Sequence, residues 1–186
     1  MRVITGSAKG ISLKTPEGLQ TRPTTDRVKE ALFSIIQFEI EGRRVLDLFA
    51  GTGQLGIEAL SRGADSAVLV DAGRDAVALI KENLRRTKLL DKAQVVQSDY
   101  LEYLSRCRER FDVIFLDPPY AEVFLENALR KISEIDILSS SGIIICERPA
   151  EKTKPHPVSG FSEGKDYRYG KTFLTLYRKS TDAEEL

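Results

Sequence analysis

The chain has 186 residues, of which 41% are hydrophobic and 30% charged, so it can form one domain with a sizeable core. Basic and acidic residues number 28 each, and this balance gives no sign of a polyanionic partner. The two cysteines are far apart and there is one histidine, which excludes a zinc cluster. Because no signal peptide or long apolar run is present, we expect a cytoplasmic protein without a membrane segment.

The N-terminal region is predicted to form a hairpin and a helix. Two short strand-like runs, residues 2–5 and 11–14, flank a glycine-containing turn. Apolar residues then recur with helical spacing, at Val28, Ala31, Leu32, Ile35 and Ile36. We interpret residues 1–40 as a hairpin-helix extension of a single domain spanning residues 1–186. The first 44 residues carry a net charge of +3, which hints at a basic face.

From residue 43 onward, predicted strands and helices alternate. This alternation is typical of a parallel sheet covered by helices on both faces. Ligands of such sheets bind beyond the carboxyl ends of the strands. The predicted strands are residues 45–49, 66–70, 93–97, 113–116 and 142–146, and the predicted helices are residues 54–62, 74–88, 100–107 and 122–134.

The C-terminal region breaks the alternation. Residues 167–169 and 172–177 are strand-like and flank Gly170 and Lys171. A glycine-bearing two-residue turn between such runs predicts an antiparallel hairpin. The predicted sheet therefore has seven strands, mostly parallel, with this hairpin at its end.

A glycine turn follows the first predicted strand of the parallel sheet. Gly51, Gly53 and Gly56 fit G-x-G-x-x-G, and Asp71 lies 20 residues beyond Gly51, a spacing that also fits a dinucleotide site. Asp47 favours another ligand, because a carboxylate there repels a pyrophosphate and attracts an ammonium or sulfonium cation. S-adenosylmethionine carries both cations, and its ribose hydroxyls suit Asp71.

Four acidic residues fall near the carboxyl ends of predicted strands. Each of them alone can be an ordinary helix cap. Four carboxyl groups at one edge of a sheet are unfavourable packing unless they have a function. These residues are Asp47, Asp71, Asp99 and Asp117.

A second motif, Asp117-Pro118-Pro119-Tyr120, follows the fourth predicted strand. The two prolines fix φ and lack N–H donors, so the carbonyls before them lie without a local partner. The Asp117 carboxylate and such a carbonyl can accept both hydrogens of an amino group. Tyr120 offers a ring on which a planar base or amide can stack. The alternative is a rigid strand exit with an incidental tyrosine.

Together these motifs resemble a known class of enzymes. The run from Asp47 to Gly53 (DLFAGTG) and the Asp-Pro-Pro-Tyr motif are similar to class I S-adenosylmethionine-dependent methyltransferases that modify exocyclic amines. Residues 22–33 (RPTTDRVKEALF), 55–63 (LGIEALSRG) and 169–173 (YGKTF) resemble the RsmD family. Members of that family methylate N2 of a guanine in small-subunit (16S) ribosomal RNA. The resemblance covers nearly the whole chain.

The resemblance implies an α/β fold of the class I methyltransferase (Rossmann-like) type, with helices on both faces and an N-terminal hairpin and helix. It implies S-adenosylmethionine as cofactor and ribosomal RNA or the small ribosomal subunit as partner, with no obligate protein partner and no metal. One departure is Asp71, which stands where we expect glutamate but can still reach a ribose. The implied cofactor-binding residues are Asp47, Phe49, Gly51, Gly53, Asp71, Ala72, Asp99 and Tyr100.

The implied reaction is direct transfer of a methyl group to a guanine amine. Asp117 and the Pro118 carbonyl are expected to orient the amine, and Tyr120 to stack on the base, with Pro119 completing the motif. Cations of the N-terminal region are the predicted RNA clamp, although they also fit an ordinary charged surface. They are Arg2, Lys9, Lys14, Arg22, Arg27 and Lys29.

Three alternatives stay open. An amine methyltransferase acting on another RNA, DNA adenine or protein glutamine has a similar motif, but 186 residues leave no room for a large DNA-recognition domain. A nicotinamide oxidoreductase is disfavoured by Asp47 and by the lack of an obvious base at a hydride site. A non-catalytic RNA-binding protein is disfavoured by the intact motif from Asp117 to Tyr120.

Overall fold

The structure, a computed structural model, describes residues 1–16, 23–119, 122–155, 158–162 and 164–180, without the side chains of residues 23–25 and 122. Two predicted site residues, Arg22 and Tyr120, lie outside the described residues.

One sheet of seven strands forms the centre of the molecule, in the order β3-β2-β1-β4-β5-β7-β6. Strands β1 to β5 are parallel to one another, whereas β7 runs antiparallel to β5 and to β6. The predicted mostly parallel sheet with an antiparallel C-terminal hairpin is confirmed. The strands are β1 (Arg44–Asp47), β2 (Ser66–Asp71), β3 (Ala93–Gln97), β4 (Phe111–Leu116), β5 (Leu138–Pro149), β6 (Lys165–Tyr169) and β7 (Thr172–Arg178).

Helices cover both faces of the sheet, because each carries an apolar stripe that must be buried. The first three helices pack into one apolar cluster and the last two into another. Among the described residues, no helix is both long and apolar enough to cross a bilayer. The helices are α1 (Pro23–Ile35), α2 (Gln54–Ser61), α3 (Arg74–Arg86), α4 (Tyr100–Arg106) and α5 (Glu122–Ile135).

The strand order reverses between β1 and β4, where Val45 lies opposite Val113 and Asp47 opposite Phe115. At such a switch point the connections from the two strands leave in opposite directions and open a crevice beyond the carboxyl ends. The edge of the sheet at these carboxyl ends is called the catalytic edge below.

Strand β5 is longer than the prediction of residues 142–146, because it spans Leu138–Pro149. Three consecutive serines at residues 139–141 interrupt the apolar pattern, so the beginning of the strand could not be predicted from it. The end of the strand could not be predicted either, since Glu147 and Arg148 are charged. Backbone pairing with β7 from Ile143 to Pro149 holds that end in the sheet.

The predicted N-terminal hairpin is present, with a shorter pairing than the two predicted strands. Residues 1–14 fold back on themselves through hydrogen bonds from the Val3 N–H to the Ile11 carbonyl at 3.0 Å and from the Leu13 N–H to the Met1 carbonyl at 3.1 Å, and Arg2 and Ser12 form a β-bridge. The pairing is short because side chains of α2 bind other backbone donors of this segment. Glu58 accepts hydrogen bonds from the N–H groups of Ile4 and Thr5, at 2.8 and 3.0 Å.

Glu58 also belongs to a buried ionic group. The Glu58 side chain is fully buried, and the Lys29 ammonium lies 3.5 Å from Glu58 Oε2 and donates to the Arg2 carbonyl at 2.6 Å. The Arg62 Nε donates to Glu58 Oε1 at 2.8 Å. Burial lowers the pKa of Lys29, and the Glu58 charge opposes that effect. The prediction that Lys29 contacts RNA is therefore corrected, because its ammonium faces the interior.

The same contacts orient α1 relative to α2. Lys29 meets Glu58, and one turn later the Phe33 ring meets the Arg62 guanidinium at 4.7 Å. Both pairs advance by four residues in the same direction, so the two helices are parallel. The N-terminal ends of α1 and α2 therefore both lie toward the catalytic edge.

Replacement of Glu58 tests this buried group. We expect Glu58→Ala to lower the free energy of unfolding by about 3–5 kcal/mol, because it leaves the Lys29 ammonium buried without its partner. Glu82→Ala is the matched control, since it removes a surface ion pair with Lys14 and should cost less than about 1 kcal/mol. Urea denaturation measures both. Equal losses in the two variants would contradict a buried role for Glu58.

Candidate active site

The turn after β1 adopts backbone conformations that favour glycine. Gly51 and Gly53 have φ values of 57° and 80°. A Cβ added at Gly51 meets no atom within 4 Å, so the turn faces open space at this point. A Cβ added at Gly56 comes within 2.7 Å of Leu69 Cδ2. Gly56 therefore serves the packing of α2 on β2, whereas Gly51 lets a ligand approach the backbone.

Asp47 is 1% exposed and lies beneath this turn. Its Oδ2 accepts a hydrogen bond from the Gly56 N–H at 3.0 Å, so the carboxyl group occupies the N-terminal end of α2. Burial raises the pKa of Asp47 to about 7, and the charges of Asp117 and Asp71 add to this effect. A dinucleotide places its pyrophosphate at the corresponding helix end, so the carboxyl group of Asp47 disfavours that ligand.

Three buried acceptor oxygens near the N-terminal ends of α1 and α2 have no hydrogen-bond partner in the described part of the chain. They are Asp26 Oδ1, Asp47 Oδ1 and Gln54 Oε1. An unsatisfied buried polar group costs about 1–3 kcal/mol. All three need donors, which an ammonium group supplies. Neither Gln54 nor Asp26 was predicted from the sequence to belong to the site.

Asp71 links the glycine turn to the loop after β2. Its two carboxylate oxygens accept hydrogen bonds from the N–H groups of Gly51 and Gly73, at 2.9 and 2.8 Å. The aspartate is partly exposed, and Ala72 beside it is exposed. A carboxylate oxygen accepts more than one hydrogen bond, so Asp71 can still accept from a ribose hydroxyl.

Asp99 caps α4, since its Oδ1 accepts from the N–H groups of Leu101 and Glu102 at 2.8 and 3.2 Å. The ordinary capping role is thus present, and the side chain remains exposed. Beside it, the rings of Phe49 and Tyr100 lie 5.0 Å apart between centroids.

Phe124 of α5 completes a group of three aromatic rings. Its centroid lies 5.4 Å from that of Tyr100 and 6.2 Å from that of Phe49. Sequence analysis missed Phe124, which its helical spacing does not distinguish from an ordinary core residue. The group forms an apolar wall at the catalytic edge.

Asp117 and Pro118 leave the end of β4 partly buried, and Pro119 is exposed. Burial raises the pKa of Asp117 to about 6. In the adjacent strand, Cys146 is paired with Leu116, so Glu147 is the neighbour of Asp117. Burial, and then the charge of Asp117, raises the pKa of Glu147 to about 8.

Sequence analysis missed Glu147, although the signal was present. The residue directly follows the predicted strand 142–146, and the other four acids also fall near the carboxyl ends of theirs. The structure thus brings Asp47, Asp71, Asp117 and Glu147 to the same edge of the sheet.

The predicted RNA-binding cations are distributed along the N-terminal region. Arg2, Lys9 and Arg27 are exposed, and Lys14 forms an ion pair with Glu82. Lys9 follows Ala8, whose N–H donates to Ser61 Oγ at the C-terminal end of α2. Since a helix rises about 1.5 Å per residue, Lys9 lies roughly 10 Å from the catalytic edge. Arg27 lies near that edge, at the N-terminal end of α1.

The strand order, the glycine turn after β1 and the acids at the strand ends define the chain as a class I methyltransferase by fold. Residues 1–178 match the family described as conserved hypothetical protein 95. The chain belongs to this family, which confirms the resemblance to RsmD proteins.

Two relatives match almost the whole chain. YlbH of Bacillus subtilis (strain 168) is 43% identical over 182 residues, covering 96% of this chain and 99% of YlbH. Ribosomal RNA small subunit methyltransferase D of Escherichia coli (strain K12) is 32% identical, covering 99% of this chain and 92% of the relative.

Solved structures agree with this assignment. The structure of yhhF from Escherichia coli superposes with a TM-score of 0.86 at 29% identity, covering 97% of this chain and 99% of yhhF. That of HI0767 from Haemophilus influenzae has a TM-score of 0.80 at 30% identity, covering 97% and 98% of the two chains.

The raised pKa of Asp47 makes stability depend on pH. A carboxyl group with a folded pKa of about 7 and an ordinary value of 3.8 holds its proton more tightly when folded, so its contribution is lost as pH rises between those values. From about pH 5 to about pH 8, wild type should lose about 2–3 kcal/mol more than Asp47→Asn. Urea denaturation at both pH values measures this difference. Equal losses would mean that Asp47 is already ionised at about pH 5.

Proposed function

We propose that this protein transfers a methyl group from S-adenosylmethionine to the exocyclic N2 of a guanine in small-subunit ribosomal RNA. One observation carries this proposal. Asp117 and Pro118 leave β4 directly across the switch point from the glycine turn of β1. The relative named ribosomal RNA small subunit methyltransferase D supports methyl transfer to small-subunit ribosomal RNA.

The residues at the glycine turn fit the cofactor. Gly51 leaves space for it, and Asp71 accepts from the ribose hydroxyls. The unpaired oxygens of Asp26, Asp47 and Gln54 accept from the ammonium of its methionine part.

Phe49, Tyr100 and Asp99 would hold the adenine, and Ala72 and Gly53 would complete the walls. When bound, the cofactor supplies an activated methyl group on a sulfonium. No covalent intermediate with the protein is then required.

Asp117 and the Pro118 carbonyl position the target amine. Each accepts one of its two hydrogens, which turns the nitrogen lone pair toward the methyl group. The Asp117 pKa of about 6 leaves its carboxyl group mainly ionised near neutral pH, the form that accepts best. Catalysis then consists mostly of holding nitrogen and methyl in line, an effect worth several kcal/mol in general. Stacking of the base on Tyr120 stays a prediction.

The guanine must leave its stack to reach this edge, so the RNA is bound with the target flipped or unpaired. Arg2, Lys14, Arg22 and Arg27 are the proposed phosphate contacts. Lys9 is a more distant contact, and Lys29 is not included. We expect the protein to work in the cytoplasm, where ribosomal RNA is assembled, without an obligate protein partner.

Replacement of Asp117 tests the chemistry. We expect Asp117→Ala to lower the rate of methyl transfer to ribosomal RNA about 100-fold or more, because the amine loses its positioning acceptor. Affinity for S-adenosylmethionine, measured by calorimetry, should stay unchanged. Asp91→Ala, at an exposed carboxyl group remote from the catalytic edge, is the matched control.

The assay uses RNA from cells that lack the enzyme, followed by mapping of the modified base. Equal rates in the two variants would remove Asp117 from the active site. Methylation by wild type of an adenine or a protein glutamine, but no guanine, would favour the alternative amine methyltransferases.

Charge reversal tests the RNA surface. Arg2→Glu with Arg27→Glu should weaken RNA binding and reduce the slope of log affinity against log salt by about 1 for each lost phosphate contact. Arg106→Glu, at the end of α4 away from the catalytic edge, should change neither quantity as much. Filter binding at several salt concentrations measures both. Unchanged slopes in the double variant would rule out these two cations as phosphate contacts.

A further inference from the structure

Glu147 and Asp117 lie side by side on one face of the sheet. Side chains alternate between the two faces of a sheet along each strand, so the side chain of Glu147 lies on the same face as those of Ile143 and Ile145. In the same way the side chain of Asp117 lies on the face of Val113 and Phe115. All four of these apolar residues belong to one core cluster. Neighbouring strands are about 4.8 Å apart, which places the two carboxyl groups next to each other.

The side chain of Glu147 has no hydrogen bond or ion pair within the described residues. The adjacent cation, Arg148, points to the opposite face, where it donates to Asp166 at 3.0 Å. A partly buried carboxyl group beside a second one is unfavourable without a partner, and this cost is reflected in its raised pKa. The buried, unpaired Asp47 Oδ1 is an independent sign that this edge is built to receive a donor-rich ligand.

We propose that Glu147 accepts a hydrogen bond from the N1–H of the guanine whose amine Asp117 holds, and so selects guanine. The inference rests on the proposed function and names the substrate edge that the site recognises. Guanine N2 lies between N1–H, a donor, and N3, an acceptor. In its ionised form, Glu147 beside the amine-holding Asp117 can meet N1–H favourably, whereas it repels N3. The proton that the raised pKa of Glu147 favours must therefore leave as guanine binds.

This arrangement separates guanine from the other nucleobase amines. The amine of adenine lies between the acceptors N1 and N7, and that of cytosine lies beside the acceptor N3. Neither base offers a ring N–H next to its amine, so Glu147 would face an acceptor lone pair in either case. Guanine is the base that satisfies Asp117 and Glu147 together.

A base analogue tests this inference directly. 2-Aminopurine has the same amine as guanine, but its N1 is an acceptor without hydrogen. With RNA carrying either base at the mapped target position, wild type should prefer guanine roughly 10- to 100-fold in kcat/KM. In Glu147→Gln the amide can turn its oxygen to guanine N1–H or its N–H to the N1 of 2-aminopurine. The preference should therefore fall to within about threefold of unity.

Glu151→Gln, at an exposed carboxyl group four residues further along the chain, is the control and should keep the wild-type preference. Equal rates of wild type on both RNAs would overturn the inference while leaving the proposed function intact, and this outcome needs no variant to fold. An unchanged preference in Glu147→Gln would overturn it as well. If wild type methylates neither RNA but binds cofactor, the proposed function itself fails, and this inference fails with it.

Discussion

The hydrogen bond from the Gly56 N–H to the Asp47 carboxyl group is the contact on which the site depends. It joins the end of β1 to the beginning of α2 and closes the glycine turn between them. A buried carboxyl group thereby occupies the helix end where a phosphate would otherwise bind. The same contact leaves the second oxygen of Asp47 unpaired. One interaction thus decides both the shape of the turn and the sign of charge that a ligand must carry.

Burial makes the ionised form of the carboxyl groups at the catalytic edge unfavourable. Asp47, Asp117 and Glu147 all have raised pKa values, with burial as the first cause. In the proposed complex, a cationic cofactor and a donor-bearing base would relieve that cost. Functional sites commonly show this trade-off, because groups placed for ligand binding lower the stability of the folded protein below what packing alone would allow.

The parallel sheet and its helices could be predicted, because apolar runs and helical periodicity are local properties of a sequence. The acids at the strand ends could be predicted for the same reason. Glu147 also follows a predicted strand, although it was overlooked. Lys29 could not be placed, because its burial depends on Glu58, a partner distant in sequence. The short pairing of the N-terminal hairpin could not be predicted for a similar reason, since the N–H groups of Ile4 and Thr5 are bound by Glu58. Unpaired oxygens such as Gln54 Oε1 could not be predicted, because a pattern of residue types does not show which side chains lack a hydrogen-bond partner.

The attachment of the N-terminal segment has a consequence for synthesis on the ribosome. Ile4 finds its hydrogen-bond partner 54 residues later in the chain, and Lys14 is bound by Asn83, 69 residues later. Asn83 also donates to the Thr52 carbonyl in the glycine turn. This segment must therefore wait for α2 and α3 before it can dock. The glycine turn gains its final support only after Asn83 has emerged from the ribosome.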